Sequence, residues 1–319
     1  MAVRPVRVVF AGTPDVAVPS LRALIDSDHD VVGVISRPDA RAGRGRALQP
    51  SPVSVAAQEV GLQVRTPASL IEEPNVLDDW QPDVVAVVAY GVLIPTGLID
   101  TPPFGWINAH FSLLPAWRGA APVQRAIANG DELTGVTTFR IDEGLDTGPI
   151  LMESEPIHIG EREDSGSLLS RLAPIGADLL LRTIDDLATG NADATPQSEQ
   201  GVSLAPRITT DDARIRWNMP VHAVDRWIRA CTPAPGAWTV VDGERLRVGV
   251  PEAAVIDASA RPGRIDVGKS SVQIGCDGGY LVLGDVQPTG KKAMPARDWA
   301  RGFRGDLTAI SLQSSRTDR

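Results

Sequence analysis

Between Pro82 and Tyr90 the chain carries Val84-Val85-Ala86-Val87-Val88-Ala89, an apolar run with no polar residue at any alternate position. A strand with one solvated face alternates apolar and polar side chains, so an unbroken β-branched run predicts a central parallel strand covered on both faces. That predicts an α/β sheet. Val6 to Phe10 is a second such run, ending in Ala11-Gly12-Thr13-Pro14 and followed by helical spacing over Val18 to Ile25 and another apolar run at Val31 to Ile35. The chain therefore opens as a βαβ unit. A dinucleotide fingerprint would need three glycines across the first turn, yet only Gly12 is present, and Pro14 stands where the backbone would approach a pyrophosphate. NAD binding is rejected on that ground.

The next strand signal is Trp106-Ile107-Asn108-Ala109-His110, in which Asn108 and His110 flank Ala109 and so share one face of a strand. Pro115 and Gly119 break the run, and Ala120 to Ala128 has helical character, which puts the amide and the imidazole at the carboxyl end of a strand, where ligands bind in open α/β sheets. The chemistry suited to the pair is acyl transfer. An imidazole shuttles protons near neutral pH, and a fixed carboxamide donates to a developing oxyanion. Gly144-Leu145-Asp146-Thr147-Gly148 adds a carboxylate on a tight loop, which beside a histidine would favour the imidazolium and fix its orientation. Taken singly, His110 and Asp146 also fit a strand cap and a turn.

Asn108, His110 and Asp146, with Ser112-Leu113-Leu114-Pro115 between them, resemble the catalytic triad and folate-site segment of the 10-formyltetrahydrofolate-dependent formyltransferases. Phe10-Ala11-Gly12-Thr13-Pro14-Asp15, Ala42-Gly43-Arg44-Gly45, Trp117-Arg118-Gly119-Ala120-Ala121-Pro122 and Gly290-Lys291-Lys292-Ala293-Met294 resemble the same family in the same order. The resemblance implies a Rossmann-like, mostly parallel sheet domain followed by a smaller OB-like β-barrel. It implies transfer of a formyl group from 10-formyltetrahydrofolate, a co-substrate, to the amine of methionyl initiator tRNA, with no tightly bound cofactor and no metal. Tyr90, Gly91 and Leu93, at the end of the central strand, would then lie by the pteridine together with Ser112 to Pro115, although each of the first three also fits plain packing. Other formyl acceptors stay open, an amino sugar nucleotide or glycinamide ribonucleotide, as do hydrolysis of the donor and a tRNA-binding protein with an inactive enzyme domain.

The formal charge of −9 conceals an asymmetry: residues 1–199 hold 14 basic and 27 acidic side chains, a net of −13, and residues 200–319 hold 17 and 13, a net of +4. A basic second half on an acidic chain points to a polyanion bound there. Within the acidic half, residues 36–50 concentrate Arg37, Arg41, Arg44 and Arg46 around two glycines, the pattern of an exposed, mobile cationic loop. Such a loop is either solvated surface or a grip on phosphate. The resemblance implies the second, with the acceptor arm of the tRNA held there. The three lysines all follow residue 268, which makes the adjacent Lys291 and Lys292 a second candidate contact.

Leu168 to Leu187 is expected to be a helix that closes a first domain over residues 1–189. Polar residues 190–206 suggest a linker, 207–310 a second domain of short strands, and 311–319 a disordered tail. In that second domain five strands are expected, after a helix at Pro220 to Cys231, with Asp242-Gly243 and Asp277-Gly278-Gly279 as turns. Two cysteines give neither a disulfide framework nor metal-ligand spacing, and no apolar run has the length of a membrane span. A cytoplasmic monomer is expected.

Overall fold

A computed structural model of the chain describes residues 4–42 and 47–310. The chain divides into two compact units, the first comprising Met1–Pro122, Leu133–His158 and Leu169–Pro206, the second Val123–Glu132, Ile159–Leu168 and Arg207–Arg319. The stretch 311–319, expected to be a tail, lies outside the described residues.

The first half of the chain runs β1 (Arg7–Gly12), α1 (Val18–Ile25), β2 (Asp30–Ile35), β3 (Ala40–Ala42), β4 (Ala47–Gln49), α2 (Pro52–Glu59), β5 (Val64–Arg65) and β6 (Val84–Val88). It continues with α3 (Thr96–Ile99), β7 (Trp106–His110), α4 (Pro122–Asn129), β8 (Leu133–Thr134), β9 (Thr137–Arg140), β10 (Ile150–Glu153), β11 (Ile157–His158) and α5 (Ser165–Thr189). Seven strands form one sheet in the order β10-β9-β7-β6-β1-β2-β5. From β1 the chain builds outward through β2 and β5, then crosses to β6 and β7 on the other side. Those five strands pair in parallel, while β9 and β10 add an antiparallel edge.

The valine run is β6, and every one of its residues is buried. Val85 and Val87 pack on one face with Val9, Ile35, Leu77 and Trp80, as expected for a strand covered on both sides. Trp106 anchors the start of β7: its ring is fully buried and its Nε1 donates to the Leu98 carbonyl at 2.7 Å. An indole buried with its one donor satisfied fixes the strand without leaving an orphan polar group.

Residues 36–50 differ from expectation. The stretch read as a loop holds a short hairpin, β3 against β4, pairing Ala40 with Gln49 and Arg41 with Leu48. Three-residue strands carry too little alternation to show a period, and arginine and glycine dominate the composition of the stretch. Gly43 to Arg46, and with them Arg44 and Arg46, lie outside the described residues.

The second unit contains α6 (Val221–Ala230), β12 (Trp238–Val241), β13 (Glu244–Val248), β14 (Ala253–Ile256), β15 (Ile265–Val267), β16 (Val272–Cys276), β17 (Gly279–Val282), β18 (Asp285–Pro288), β19 (Met294–Pro295) and α7 (Ala296–Gly302). They form two four-stranded sheets, β12-β13-β18-β19 and β14-β17-β16-β15, in which every pairing is antiparallel. Asp242-Gly243 turns the β12–β13 hairpin with φ of 47° and 78°, the left-handed pair that a two-residue hairpin demands. The run from Tyr280 to Val286 is split between β17 and β18 at Leu283-Gly284. A Cβ on Gly284 would come within 2.7 Å of the Val250 carbonyl oxygen, so only glycine lets the chain pass there. No helix among the described residues is long and apolar enough to cross a membrane.

Candidate active site

Strand β7 delivers Asn108 and His110 to the carboxyl end of the parallel sheet, two residues apart and on one face. The His110 ring is buried, edge-on to Phe139 with centroids 6.4 Å apart. Its Nε2 lies 2.8 Å from the Trp117 carbonyl oxygen. A carbonyl only accepts, so Nε2 carries the hydrogen. That leaves Nδ1 facing Asp146, whose Oδ2 is 3.7 Å away and accepts the Gly119 backbone N–H at 2.7 Å.

Two influences compete over the proton on this ring. Burial strips water from the imidazolium and pushes the pKa of His110 down; the Asp146 carboxylate and the hydrogen bond to Trp117 push it up, and burial prevails. The sequence expectation that Asp146 would favour the imidazolium is right in sign and outweighed in size. At neutral pH the ring is neutral, hydrogen on Nε2, with a lone pair on Nδ1.

Around this pair lies a cavity of about 480 Å³ whose wall includes Val87, Ala89 to Ile94, Asn108 to Phe111, Gly119, Phe139 and Ile141 to Asp146. Asn108, His110, Asp146, Tyr90, Gly91 and Leu93 thus come together on one surface. Among the described residues the buried Tyr90 hydroxyl has no hydrogen-bond partner. Burial and the nearby Glu73 charge push the Tyr90 phenol up to about 12, against a smaller opposing pull from Arg37. It stays a donor throughout the physiological range.

Ser112 to Pro115, expected to line the folate pocket, are not on this wall. The Ser112 hydroxyl donates to the Ala116 carbonyl at 2.6 Å, and Thr137 Oγ1 donates to the Ser112 carbonyl at 2.8 Å while accepting the Leu114 N–H at 3.1 Å. These bonds tie the segment to β9. The Ser112 bond closes the turn that leads to Trp117, whose carbonyl meets His110.

The loop carrying Asp146 is held from several sides. Thr147 Oγ1 and the Gly144 N–H both donate to Asp142 Oδ1, at 2.7 and 3.0 Å. A Cβ on Gly148 would collide with the Arg140 carbonyl, which is why the loop ends in glycine. Gln197 is the part the sequence did not announce: its Nε2 donates to the carbonyls of Asp146 and Gly148, both at 2.8 Å, while its Oε1 accepts from Arg118 Nε and Nη2 at 3.0 and 2.7 Å. The stretch 190–206 therefore does more than connect. Ser203 Oγ likewise accepts the Trp117 N–H at 2.8 Å.

Three of the five non-glycine residues with positive φ among the described residues, Ala89, Trp117 and Asp146, belong to these segments, at 47°, 63° and 51°. The left-handed region costs an L-residue on the order of 1–2 kcal/mol, a strain that clusters where surrounding contacts dictate the backbone.

Arg37 and Arg41 are exposed after β2 and on β3, and Lys291 and Lys292 are exposed on the turn between β18 and β19 in the second unit. Among the described residues no group of His, Cys, Asp and Glu could hold a metal ion.

A catalytic-looking amide, imidazole and carboxylate at the carboxyl end of a parallel sheet, with a separate antiparallel domain after it, define a class. Residues 6–184 match the family model described as formyl transferase and residues 207–304 that of its C-terminal domain, and the chain belongs to this family. Within it, the chain is 53% identical over 302 residues to the methionyl-tRNA formyltransferase of Thermobifida fusca, covering 93% of this chain and 96% of that one. Two solved structures share the fold. HypX from Aquifex aeolicus, in complex with tetrahydrofolic acid, has a TM-score of 0.65 at 16% identity and covers 94% of this chain, which spans only 47% of that one. The N-formyltransferase from Helicobacter canadensis, in complex with folinic acid and dTDP-3-aminofucose, has a TM-score of 0.63 at 18% identity and covers 89% of this chain and 99% of that one.

Proposed function

We propose that this chain moves the formyl group of 10-formyltetrahydrofolate to the α-amino group of methionyl initiator tRNA. The observation that carries the chemistry is the buried His110 ring, its Nε2 2.8 Å from the Trp117 carbonyl oxygen and its Nδ1 facing Asp146. The choice of acceptor is supported by the Thermobifida fusca relative.

In this reading the pterin end of the donor occupies the cavity by Tyr90, Gly91 and Leu93, and the formyl carbon sits within reach of Asn108. An α-amino group titrates near about 7.7, so a useful fraction is uncharged at neutral pH and attacks without a strong base. As the carbon–nitrogen bond forms, the carbonyl π electrons become an oxyanion, which the Asn108 carboxamide stabilises by donating to it. The new ammonium passes a proton to His110 Nδ1, whose charge Asp146 then balances. The same proton goes on to N10 as the bond between carbon and N10 breaks, leaving tetrahydrofolate and the formamide. Positioning and stabilisation of the oxyanion supply most of the acceleration. Arg37, Arg41, Arg44 and Arg46 on one unit and Lys291 and Lys292 on the other hold tRNA phosphates. All three reacting groups come from one chain, so a monomer suffices, and charged tRNA places the reaction in the cytoplasm.

The test is acceptor choice. Purified protein with 10-formyltetrahydrofolate is expected to formylate methionyl initiator tRNA and to leave glycinamide ribonucleotide and amino sugar nucleotides untouched. Transfer to either small acceptor, with none to tRNA, would replace the proposal by one of its alternatives.

A further inference from the structure

The second unit holds a cavity of about 390 Å³ that the chemistry above does not use. One side comes from Asp212-Ala213-Arg214-Ile215-Arg216-Trp217. Ala213, Ile215 and Trp217 are buried at 0, 5 and 1% exposure, so the alternate residues Asp212, Arg214 and Arg216 are the ones that line the cavity. Helix α6 contributes Val224 and Trp227, and Arg125 comes from the Val123–Glu132 segment of the same unit, its guanidinium 5.9 Å from the Trp227 ring. One oxygen of the Asp212 carboxylate, Oδ2, accepts from the Thr209 N–H and hydroxyl at 2.8 and 2.7 Å, and the carboxylate also feels the charges of Arg125 and Arg216. The wall therefore sets Arg214 and Arg216 in one cavity with the Trp227 indole and its neighbour Arg125. Beyond it the same chemistry repeats: Arg214 and Arg245 stand 5.6 and 4.0 Å from the ring of Trp238.

We infer that this cavity is a nucleotide site, taking one unstacked base against Trp227 and its phosphate between Arg214 and Arg216. An indole flanked by guanidinium groups stacks any base, and forked donors match phosphate oxygens, whereas a purely anionic ligand would leave the aromatic surface unused and an apolar one would strand the charges. The volume suits a single nucleotide. The nucleotide comes either from a single-stranded stretch of RNA or from a free mononucleotide. The inference deepens the proposed RNA substrate but stands on its own residues.

Two probes separate the sources: a fluorescein-labelled pentaadenylate read by anisotropy at several salt concentrations, and AMP read by calorimetry. Both are titrated into the full chain, Trp227→Leu and the double Arg214→Ala, Arg216→Ala protein, each checked for wild-type melting. Trp227→Leu is expected to weaken pentaadenylate by about tenfold. The double arginine variant is expected to lower the magnitude of the log K against log salt slope by roughly 0.7 for each lost phosphate contact. Saturable AMP binding lost in Trp227→Leu supports the site with the free nucleotide sufficient; pentaadenylate binding without AMP binding supports it with the strand required. Unchanged pentaadenylate affinity and salt slope in both variants, with no AMP binding, overturns it. Formyl transfer to tRNA is assayed separately. Normal transfer alongside unchanged nucleotide binding sinks this inference alone, and nucleotide binding without transfer sinks only the proposed function.

Discussion

A histidine that works as a base at neutral pH has to be kept neutral, and a carboxylate beside it opposes that. In His110 the opposition is settled by burial, which lowers the pKa from its ordinary value of 6.5 despite Asp146. The consequence for stability has a definite sign. A group whose pKa is lower folded than unfolded binds fewer protons in the native state, so its contribution is fully present above about 6.5 and is lost as pH falls from there to the folded value. Denaturant unfolding of wild type and His110→Gln between pH 7.5 and 5 is therefore expected to show a steeper loss of stability with acid in wild type. A parallel pair of curves would mean that His110 titrates normally. Asn108 and His110 were legible in the sequence because a period of two puts both on one face. The balance between burial and charge was not, since neither the depth of the site nor the approach of Gly119 to Asp146 has a local signature.

At the scale of the element, the loop Asp142–Gly148 sets the position of the carboxylate, and its outer support comes from Gln197, 51 residues along the chain from Asp146. Gln197→Ala leaves two loop carbonyls and the Arg118 guanidinium without their partner. The expected outcome is a protein that folds normally, with kcat reduced by roughly tenfold or more through misplacement of Asp146 and a smaller change in KM for the folate donor. Gln197→Glu, which keeps the acceptor for Arg118 but cannot donate to the two carbonyls, is expected to behave like the alanine variant. Steady-state kinetics of the two proteins separate loop support from simple packing of Arg118. Polar residues in 190–206 suggested a linker because composition records solvation and not a specific partner. The bonds that hold Ser112–Pro115 to Thr137 on another strand had no local signature for the same reason. Short β3 and β4 were hidden for the opposite reason, their strand length being below one clear alternation. The long β6 run and the helix α5, by contrast, were plain, because both carry several periods of pattern.

For the molecule as a whole, the acidic first 199 residues disfavour broad contact with a polyanion, so phosphate binding is expected at a few basic positions. Arg41→Ala should lower the magnitude of the tRNA salt slope by roughly 0.7 to 0.9 and reduce kcat, with donor affinity unchanged. The double Lys291→Ala, Lys292→Ala protein should lose affinity and slope while turnover at saturating tRNA stays near wild type. Binding titrations across salt, paired with steady-state rates, check both, and an unchanged slope in Arg41→Ala would leave β3 as solvated surface. The central claim is that one amide, a buried imidazole and a carboxylate in the cavity at the end of β7 perform the transfer. It is tested most directly by kcat for formylation of methionyl initiator tRNA, with donor and acceptor both saturating, in Asn108→Ala, His110→Ala and Asp146→Ala proteins that melt like wild type. Losses of at least about 10²-fold are expected in each; near-wild-type turnover in folded His110→Ala would contradict the account.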